Sequence, residues 1–300
     1  MKRITIDDVA RNLKRDDQDR SIGIIIKDFS YPFYHSIVTG VKEYADTKGY
    51  SVIVTSSEDN HRSEERLTHL FSEKDVKGTI IAPTLKGESE IEHLFKLKRL
   101  NYPFVLLEDV KGIQANVVAI DNLKAIKKVV TYLINSGHTK IVHFAGPQHS
   151  SHTQERIDGF RHAFSESALV FRDDMIVPMG SHFEECFSGT KEYFRSKQKR
   201  EHPTAIVCFN DQQAFAVITA LREFSIRVPD DISVIGNDDI SYASVCPVPL
   251  TTVRAPQHEI GVKAAEILIR HIESPSLLPP ERVILETELV LRGSSKAMNN

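Results

Sequence analysis

The sequence is poor in cysteine and has no tryptophan, and Cys186, Cys208 and Cys246 are widely spaced with no C-x-x-C pair. This pattern excludes a disulfide framework or a thiolate zinc site as the basis of the fold. Long apolar runs are also lacking: stretches such as residues 22–26 are far shorter than the ~20 residues that a membrane-spanning helix needs. No apolar segment follows the charged first three residues, so we expect a cytoplasmic protein without a secretory signal.

The 14 glycines never occur at the spacing of a nucleotide-binding loop. The sequence contains no G-x-G-x-x-G, no G-x-x-x-x-G-K-[ST] and no G-x-S-x-G, which excludes three common enzyme loops. We therefore predict a protein without a cofactor that is not an enzyme. The formal net charge is −3, with 38 basic and 41 acidic residues, so any contact with nucleic acid must come from a local segment.

From residue 21 onward, short apolar runs alternate with amphipathic segments of about 10–15 residues. This alternation predicts an α/β fold of two doubly wound parallel sheets, with roughly five strands in each half. The cycle restarts near Gly137, and we expect the chain to cross between the halves near Gly137, Thr252 and Leu285. A last helix is predicted over residues 259–271, and a last pair of strands over residues 282–291.

Polar residues follow several of the predicted strands, at the edge where open α/β sheets bind ligands. They include Asp121-Asn122, Asn210-Asp211 and Asn237-Asp238-Asp239, with Arg156 near a helix start. Carboxylates and amides pair well with vicinal hydroxyls, and nearby aromatic rings can cover apolar ring surfaces. This set suits a small polyhydroxylated ligand, although it is also an ordinary composition for strand-end loops.

A series of short motifs then occurs in a fixed order along the chain. The motifs are Asp28-x-x-x-Pro32-Phe33, Gly137-His-x-x-Ile141, Ala145-Gly146-Pro147, Glu155-Arg156-x-x-Gly159-Phe160, Phe209-Asn210-Asp211-Gln212-Gln213-Ala214, Arg227-Val-Pro229 leading to Gly236-Asn-Asp238-Asp239, Pro249-Leu-Thr-Thr-Val253 and Gly261-x-x-Ala264-Ala265-x-x-Leu268. Taken together and in this order, they resemble the LacI/GalR family of transcription regulators. The resemblance covers residues 21–293, nearly the whole chain.

The resemblance implies a type I periplasmic-binding-protein-like core of two lobes joined by three crossovers. The expected divisions are a truncated headpiece at 1–20, an N-terminal lobe at 21–136 with 255–284, a C-terminal lobe at 137–254 with 285–295, and a tail at 296–300. The resemblance also implies a homodimer, and the lack of long apolar runs predicts no association with a membrane. Its effector, a sugar, a sugar derivative or a nucleobase, would bind between the lobes, and the complete protein would bind operator DNA.

Carried over by position, the resemblance implies six residues that contact the effector. Asp121, Arg156, Asn210 and Asp238 match positions that hydrogen-bond the effector, and Phe33 and Phe183 match aromatic walls of the site. Strand geometry also supports Asp238, because adjacent side chains on extended backbone point in opposite directions. Only one of Asp238 and Asp239 can therefore face the ligand, and we expect it to be Asp238.

The beginning of the chain departs from the family pattern. Residues 4–10 look like the opening of a helix-turn-helix headpiece, in which Thr5 and Ile6 would be the remnant of the DNA-binding element. Thr5 and Asp8 form a capping-box pattern, but the residues that follow leave room for one helix only. Residues 1–20 carry six basic and five acidic side chains, which is poorly suited to binding phosphates. We expect that the recognition helix is missing and that this chain does not bind an operator.

Several less specific interpretations stay open beside these. Asp238 and Asp239 could be a catalytic pair, although adjacent strand residues flank a bond poorly. Arg156 could form a surface salt bridge, Asn210 could serve only as a helix cap, and Phe33 could be a plain core residue. A periplasmic sugar-binding protein of a transporter is the main functional alternative, and an enzyme acting on a carbohydrate is the third.

The histidines are the only other candidate for chemistry. His149 and His152, with His138 and His143 nearby, could suggest a metal ion, but no cysteine or Glu-x-x-His partner completes a ligand set. His143 lies in the middle of a predicted strand, which favours a packed core residue. We therefore predict no metal site.

Overall fold

The computed structural model of the protein describes residues 20–74, 76–84, 90–148, 150–274 and 278–298. The chain forms two compact units. The first unit comprises Met1–Ala119 and Gln257–Ile284, and the second unit comprises Ile120–Pro256 and Leu285–Asn300. The chain therefore passes between the units three times, which confirms the predicted architecture of two α/β subdomains joined by three crossovers.

The first unit is built on a six-stranded sheet. Its strands are β1 (Ser21–Ile26), β2 (Ser51–Ser56), β3 (Val76–Ile81), β4 (Phe104–Leu106), β5 (Asn116–Ile120) and β11 (Arg282–Leu285). Their order across the sheet is β11-β5-β4-β3-β1-β2, and β1 to β5 pair in parallel. The helices described in this unit are α1 (Phe33–Thr47), α2 (His61–Glu73), α3 (Glu92–Arg99) and α8 (Gln257–Glu273).

The second unit repeats this plan. Its strands are β6 (Ile141–Ala145), β7 (Ile176–Pro178), β8 (Ala205–Cys208), β9 (Ser233–Asp238), β10 (Thr251–Arg254) and β12 (Glu288–Val290). Their order is β12-β10-β9-β8-β6-β7, and β12 pairs antiparallel with β10 while the other pairs are parallel. The helices described in this unit are α4 (Asn122–Asn135), α5 (Ser151–Ser165), α6 (Phe183–Arg195) and α7 (Asp211–Glu223).

The central strands are short and apolar because helices cover both of their faces. Every residue of β8 is buried, as are five of the six residues of β1. In the second unit, one core cluster contains Phe144 and Val234, and a separate cluster contains Phe160 and Ile235. Val234 and Ile235 are neighbours on β9, so their different clusters reflect the alternation of side chains along a strand.

Glycines bring helix pairs into close contact in both units. A Cβ on Gly261 of α8 would overlap the carbonyl oxygen of Ile37 on α1, and a Cβ on Gly40 would overlap the carbonyl of His258. In the second unit, a Cβ on Gly159 of α5 would overlap the carbonyl of Leu123 on α4. The absence of a side chain at these positions is therefore what allows the backbones to pack.

Two details differ from the sequence-based expectations. The division of the chain precedes α4, whereas we expected it to follow this helix, because α4 packs against α5 and contributes Val129 and Leu133 to a core cluster of the second unit. The expected crossing near Thr252 lies between Pro256 and Gln257, and the residues before it, Thr251–Arg254, form a strand that was not predicted, β10 of the second sheet. With β10, and with β11 and β12 added by the returning segment, each sheet has six strands rather than about five.

The segment after β11 runs along the second sheet. The Ser294 hydroxyl donates to the carbonyl of Val234 at 2.5 Å and accepts from the amide of Thr251 at 2.8 Å. Further on, the Met298 amide donates to the carbonyl of Ser136 at 2.8 Å. Residues 285–298 are therefore an integral part of the second unit. Among the described residues, no helix has the length and apolar character required to cross a bilayer.

Candidate functional site

The turn after β8 is held by the first turn of α7. Asn210 caps this helix: its Oδ1 accepts a hydrogen bond from the Gln213 amide at 2.7 Å, and its Nδ2 donates to the Ser181 carbonyl at 3.3 Å. The Gln213 side chain accepts in turn from the amide of Phe209 at 2.7 Å. Asn210 is therefore a buried cap at the carboxyl end of β8, where open α/β sheets bind their ligands.

Arg156, near the start of α5, is buried and fixed by several contacts. Its Nε donates to Oδ1 of Asn122 at 3.0 Å, and its Nη1 donates to the carbonyl oxygen of Phe209. The guanidinium also lies over the Phe209 ring, 4.5 Å from the centroid, which is a cation–π distance. Glu155 orients Asn122 by accepting from its Nδ2 at 2.9 Å. These contacts preorganise the arginine.

The Arg156 guanidinium faces a buried carboxylate at the end of β9. Its Nη2 lies 3.8 Å from Oδ1 of Asp238, and this oxygen accepts a hydrogen bond from Nδ2 of Asn237 at 2.7 Å. Arg156 is 4% exposed and Asp238 is 5% exposed. Because water screens this pair poorly, the attraction between the charges offsets part of the cost of burying them.

Asp238 and Asp239 have different partners. Asp239 lies 2.7 Å from Nε of Arg254 through one carboxylate oxygen and 2.7 Å from Nη2 of Arg292 through the other. The φ angles of Asp238 and Asp239 are 121° and 54°, in a region that residues other than glycine rarely adopt, at a cost of about 1–3 kcal/mol each. This turn therefore depends on its surroundings for its conformation.

Asp211 lies beside this turn and is completely buried. Its carboxylate accepts from the Thr252 hydroxyl at 2.5 Å and from the Ile240 amide at 2.9 Å. Burial raises the pKa of Asp211 to about 7, and the charge of Asp238 acts in the same direction. The carboxyl end of the second sheet therefore contains a carboxyl group that titrates near neutral pH.

The other predicted contact residues also lie at helix starts. Asp121 is exposed and caps α4, where it accepts from the Lys124 amide at 2.8 Å. Phe183 begins α6, is partly buried, and stacks on Phe187 with 6.1 Å between the ring centroids. Phe33 begins α1 in the first unit, and its ring centroid is 5.4 Å from that of Tyr34.

Five of the six predicted residues thus belong to the second unit. Among them, Arg156 lies close to Asp238 and contacts the residue before Asn210 and the residue after Asp121. The motif pattern assigned no role to Asn122 or to the backbone carbonyl of Phe209. Asn122 was visible as a polar residue after a strand, but residue type does not reveal which carbonyl an arginine will bind.

His143 packs against this group from within β6. Its ring stacks on that of Phe160, with 5.9 Å between centroids, and its Nδ1 is 2.9 Å from the carbonyl oxygen of Val207. Burial lowers the pKa of His143 to about 4, and the charge of Arg156 lowers it further, whereas the hydrogen bond to Val207 opposes the shift. The imidazole is therefore neutral at pH 7, as suits a core residue.

Cysteine and histidine are the remaining residue types in this region that could support chemistry. The thiol of Cys186 is buried, which raises its pKa to about 12 and leaves it unsuited to nucleophilic attack. Across the described ranges, no group of three or more His, Cys, Asp and Glu side chains is placed to hold a metal ion. His149, part of the considered histidine set, lies outside the described residues.

Comparison with known proteins agrees with this arrangement. Residues 130–295 match the family model described as a periplasmic binding protein-like domain. The chain is 31% identical to the HTH-type transcriptional repressor PurR of Photobacterium profundum over 294 residues, which cover 97% of this chain and 85% of that protein. It is 30% identical to the arabinose metabolism transcriptional repressor of Geobacillus stearothermophilus over 296 residues, covering 96% and 80%.

Solved structures show the same fold. A complex of the transcriptional regulator CelR with cellobiose superposes with a TM-score of 0.82 at 24% identity, covering 98% of this chain and 92% of that one. A LacI family regulator from Enterococcus faecium with bound ribose gives a TM-score of 0.80 at 23% identity, covering 93% and 100%. The chain is built as an effector-binding core of two periplasmic-binding-protein-like units. It belongs to the LacI/GalR family of transcription regulators, which confirms the resemblance in its motifs.

The predicted headpiece remnant is a separate matter. Thr5, Ile6 and the rest of residues 1–19 lie outside the described residues. The expectation that this chain does not bind an operator therefore stays a prediction.

Proposed function

We propose that the second unit binds a neutral, hydroxyl-bearing effector through Asp238, with Arg156, Asn210 and Asp121 as neighbouring polar contacts. The observation that carries this proposal is the buried pair of Arg156 and Asp238 at the carboxyl end of the sheet. A carboxylate accepts hydrogen bonds from paired hydroxyls, and Arg156, fixed by Asn122 and Phe209, lies 3.8 Å from that carboxylate. Phe183 would supply an apolar face to the effector, and the role expected for Phe33, which lies in the first unit, stays a prediction.

The charges at this edge favour a neutral ligand over an anionic one. The guanidinium of Arg156 faces Asp238, while Arg254 and Arg292 both face Asp239. A phosphate group would therefore have to compete with carboxylates that these cations already contact. One repressor compared above is named for arabinose metabolism, and two of the solved structures contain cellobiose and ribose. These sugars are neutral and carry hydroxyl groups, which is consistent with the proposed class of ligand.

The biological role that we propose is effector sensing by a homodimeric transcription regulator in the cytoplasm. The support is that the relatives compared above are transcriptional repressors, which disfavours the periplasmic transport protein. We also propose that the site binds its ligand without transforming it, because its side chains form fixed hydrogen bonds and ion pairs around a buried carboxylate. In the complete regulator, the partners would be operator DNA and a second copy of this chain.

Calorimetric titration of the whole chain tests the effector proposal. The panel is ribose, arabinose, cellobiose, ribose 5-phosphate, adenine and guanine. We expect at least one neutral sugar to bind, and ribose 5-phosphate to bind no more tightly than ribose. Absence of heat from all three sugars would contradict the proposal, whether or not adenine, guanine or ribose 5-phosphate binds.

Substitution of Asp238 then tests the residue. D238A removes a buried charged acceptor, so we expect the affinity for the bound sugar to fall roughly tenfold to a hundredfold. D238N keeps the shape of the side chain and guards against loss of folding. D173N, at an exposed aspartate of the same unit, is the matched control and should bind as the parent does. An unchanged affinity in D238A would show that another residue binds the effector.

A further inference from the structure

The Asp211 carboxylate joins three elements of the second unit. Asp211 is the first residue of α7, and it accepts from Thr252 of β10 and from Ile240, two residues beyond the end of β9. A Cβ at Gly236 of β9 would overlap Oδ1 of Asp211. The glycine therefore gives the carboxylate the space to lie against β9, and a larger residue there would displace it.

The turn that Asp211 holds is the one that carries Asp238. Asp238 and Asp239 adopt positive φ in succession, and Ile240 follows directly. Strained backbone persists only where the surrounding structure holds it in place. On one side, Arg254 and Arg292 hold Asp239, and beyond it Asp211 holds the Ile240 amide at 2.9 Å. The position of the Asp238 carboxylate therefore depends on contacts made by its neighbours.

We propose that Asp211 is a positioning residue for effector binding: its carboxyl group holds the turn of residues 238–240 in the conformation in which Asp238 meets the effector. This inference rests on the proposed role of Asp238 and extends it to a residue that does not itself touch the ligand. Asp211 acts through the Ile240 amide and the Thr252 hydroxyl.

The charged groups around Asp211 also affect its protonation state. The titratable and charged groups on the elements around it are Cys208 of β8, Asp238 and Asp239 of β9, Arg254 of β10, Arg292 of the returning segment, Cys186 of α6, and Arg156 beyond Asp238. The thiols of Cys186 and Cys208 are protonated because burial raises their pKa values. The two arginines face Asp239 and Arg156 faces Asp238, so burial and the Asp238 charge dominate and the pKa of Asp211 is raised to about 7.

Effector binding should therefore depend on pH. A neutral effector that covers Asp238 excludes water, which strengthens the repulsion between Asp238 and an ionised Asp211. Binding then favours the protonated form of Asp211, so affinity decreases as the pH is raised from 6 to 8. Each unit by which binding raises the pKa of Asp211 contributes up to about tenfold to this decrease.

The first experiment measures the affinity of the parent and of D211N at pH 6, 7 and 8, with ribose, arabinose and cellobiose as probes. The asparagine amide can accept from Ile240 and donate to Thr252, so D211N keeps the turn but removes the titrating group. We expect the affinity of the parent to decrease across this range and that of D211N to stay constant. D231N is the matched control, since Asp231 also accepts a backbone amide, that of Arg227, but is exposed.

The second experiment measures the turn directly, by hydrogen exchange of a peptide that contains Ile240 in the ligand-free protein. D211A removes both hydrogen bonds, so we expect faster exchange at Ile240 and an affinity at least about tenfold lower at pH 7. T252V removes one of them and guards against failure of D211A to fold. We expect it to lower the affinity less than D211A does.

The outcomes separate the two proposals. Parallel pH dependence of affinity in the parent and D211N, or unchanged affinity in both D211A and T252V, would overturn the role of Asp211 while the effector function stands. Failure of all three sugars to bind the parent would overturn both. Loss of the pH dependence in D211N, together with faster exchange at Ile240 and weaker binding in D211A, would support the proposal, because a merely structural residue would not alter the pH profile of binding.

Discussion

The two units share one topology but treat buried charge differently. The sheet orders β2-β1-β3-β4-β5 and β7-β6-β8-β9-β10 follow the same plan, and the returning C-terminal segment adds β11 to one and β12 to the other. At the carboxyl ends of the strands in the first unit, Lys27 Nζ lies 2.6 Å from Glu108 Oε1. His93 Nε2 lies 2.8 Å from Glu64 Oε1, and the other oxygen of Glu64 accepts from the amide of Thr84, three residues after β3.

In the second unit, Asp238 lies farther from its arginine than Glu108 lies from Lys27, although the neighbouring Asp239 contacts Arg254 and Arg292 at 2.7 Å each. Asp238 is 3.8 Å from its arginine, and the Thr252 hydroxyl and the Ile240 amide that bond Asp211 are both neutral donors. The same strand plan therefore surrounds its buried carboxylates in two ways. In the first unit the close pairs join helices and strand ends, whereas in the second the wider Arg156–Asp238 pair belongs to the site that we propose for the effector.

Among the substitutions that test this difference between the units, E64A is expected to change the free energy of unfolding most. E64A leaves the Thr84 amide and the His93 ring buried without their hydrogen-bond partner, so we expect the free energy of unfolding to decrease by about 3–5 kcal/mol. Hydrogen exchange should show the loss in α2, α3 and β3, with β8 and β9 of the second unit unchanged. E65A, on the adjacent exposed residue of α2, is the control. Equal loss of protection in both units would show that the Glu64 contacts do not stabilise the first unit locally.

The next largest effect is expected to be the pH dependence that His143 adds to the free energy of unfolding. The unfolded pKa, 6.5, lies above the folded value of about 4, so the unfolded chain takes the proton first as the pH falls. This contribution is fully present above pH 6.5, and roughly 3 kcal/mol of it is lost as the pH falls toward 4. Denaturation of the parent and of H143N over pH 4–7 measures it. Identical slopes in the two proteins would show that His143 is not responsible.

K27M should give the smallest of the three effects. Lys27 is partly exposed, so loss of its cation costs less than loss of Glu64, and we expect about 1–2 kcal/mol. The double substitution K27M/E108L should recover most of this loss, because an apolar pair avoids an uncompensated charge. K42M, at an exposed lysine of α1, is the control. A double variant less stable than K27M would mean that the pair does more than neutralise charge.

The alternation of apolar runs and amphipathic segments was sufficient to predict the two α/β sheets. It missed β10 because Thr251–Arg254 is short and begins with two threonines that resemble a polar connection. Those threonines are fully buried, since their hydroxyls bond Asp211 and the returning segment. Tertiary partners of this kind leave no periodic signal. The placement of α4 failed for a related reason, because its apolar face is satisfied only by its later contact with α5.

From the sequence, the site could be predicted only as far as the types of polar residue that follow each strand. Alternation along extended backbone was the reason for separating Asp238 from Asp239, but Asp239 lies beyond β9 and both residues have positive φ. Their different arginine partners therefore come from the turn, not from strand alternation. Sequence could not show the positive φ angles of this turn, because neither residue is a glycine. Nor could it reveal the raised pKa of Asp211, which depends on burial between strands distant in the chain.

Residues 257–298 contribute elements to both units, and this constrains the order of folding during synthesis. The first sheet needs α8 and β11, and the second needs β12 and the hydrogen bonds of Ser294. Although the N-terminal regions of both units are translated early, neither sheet can be completed before residues 257–298 have left the ribosome. Until then, β5 and β10 lack their partner strands, β11 and β12. Any pause in translation before residue 257 therefore prolongs the exposure of two incomplete sheets.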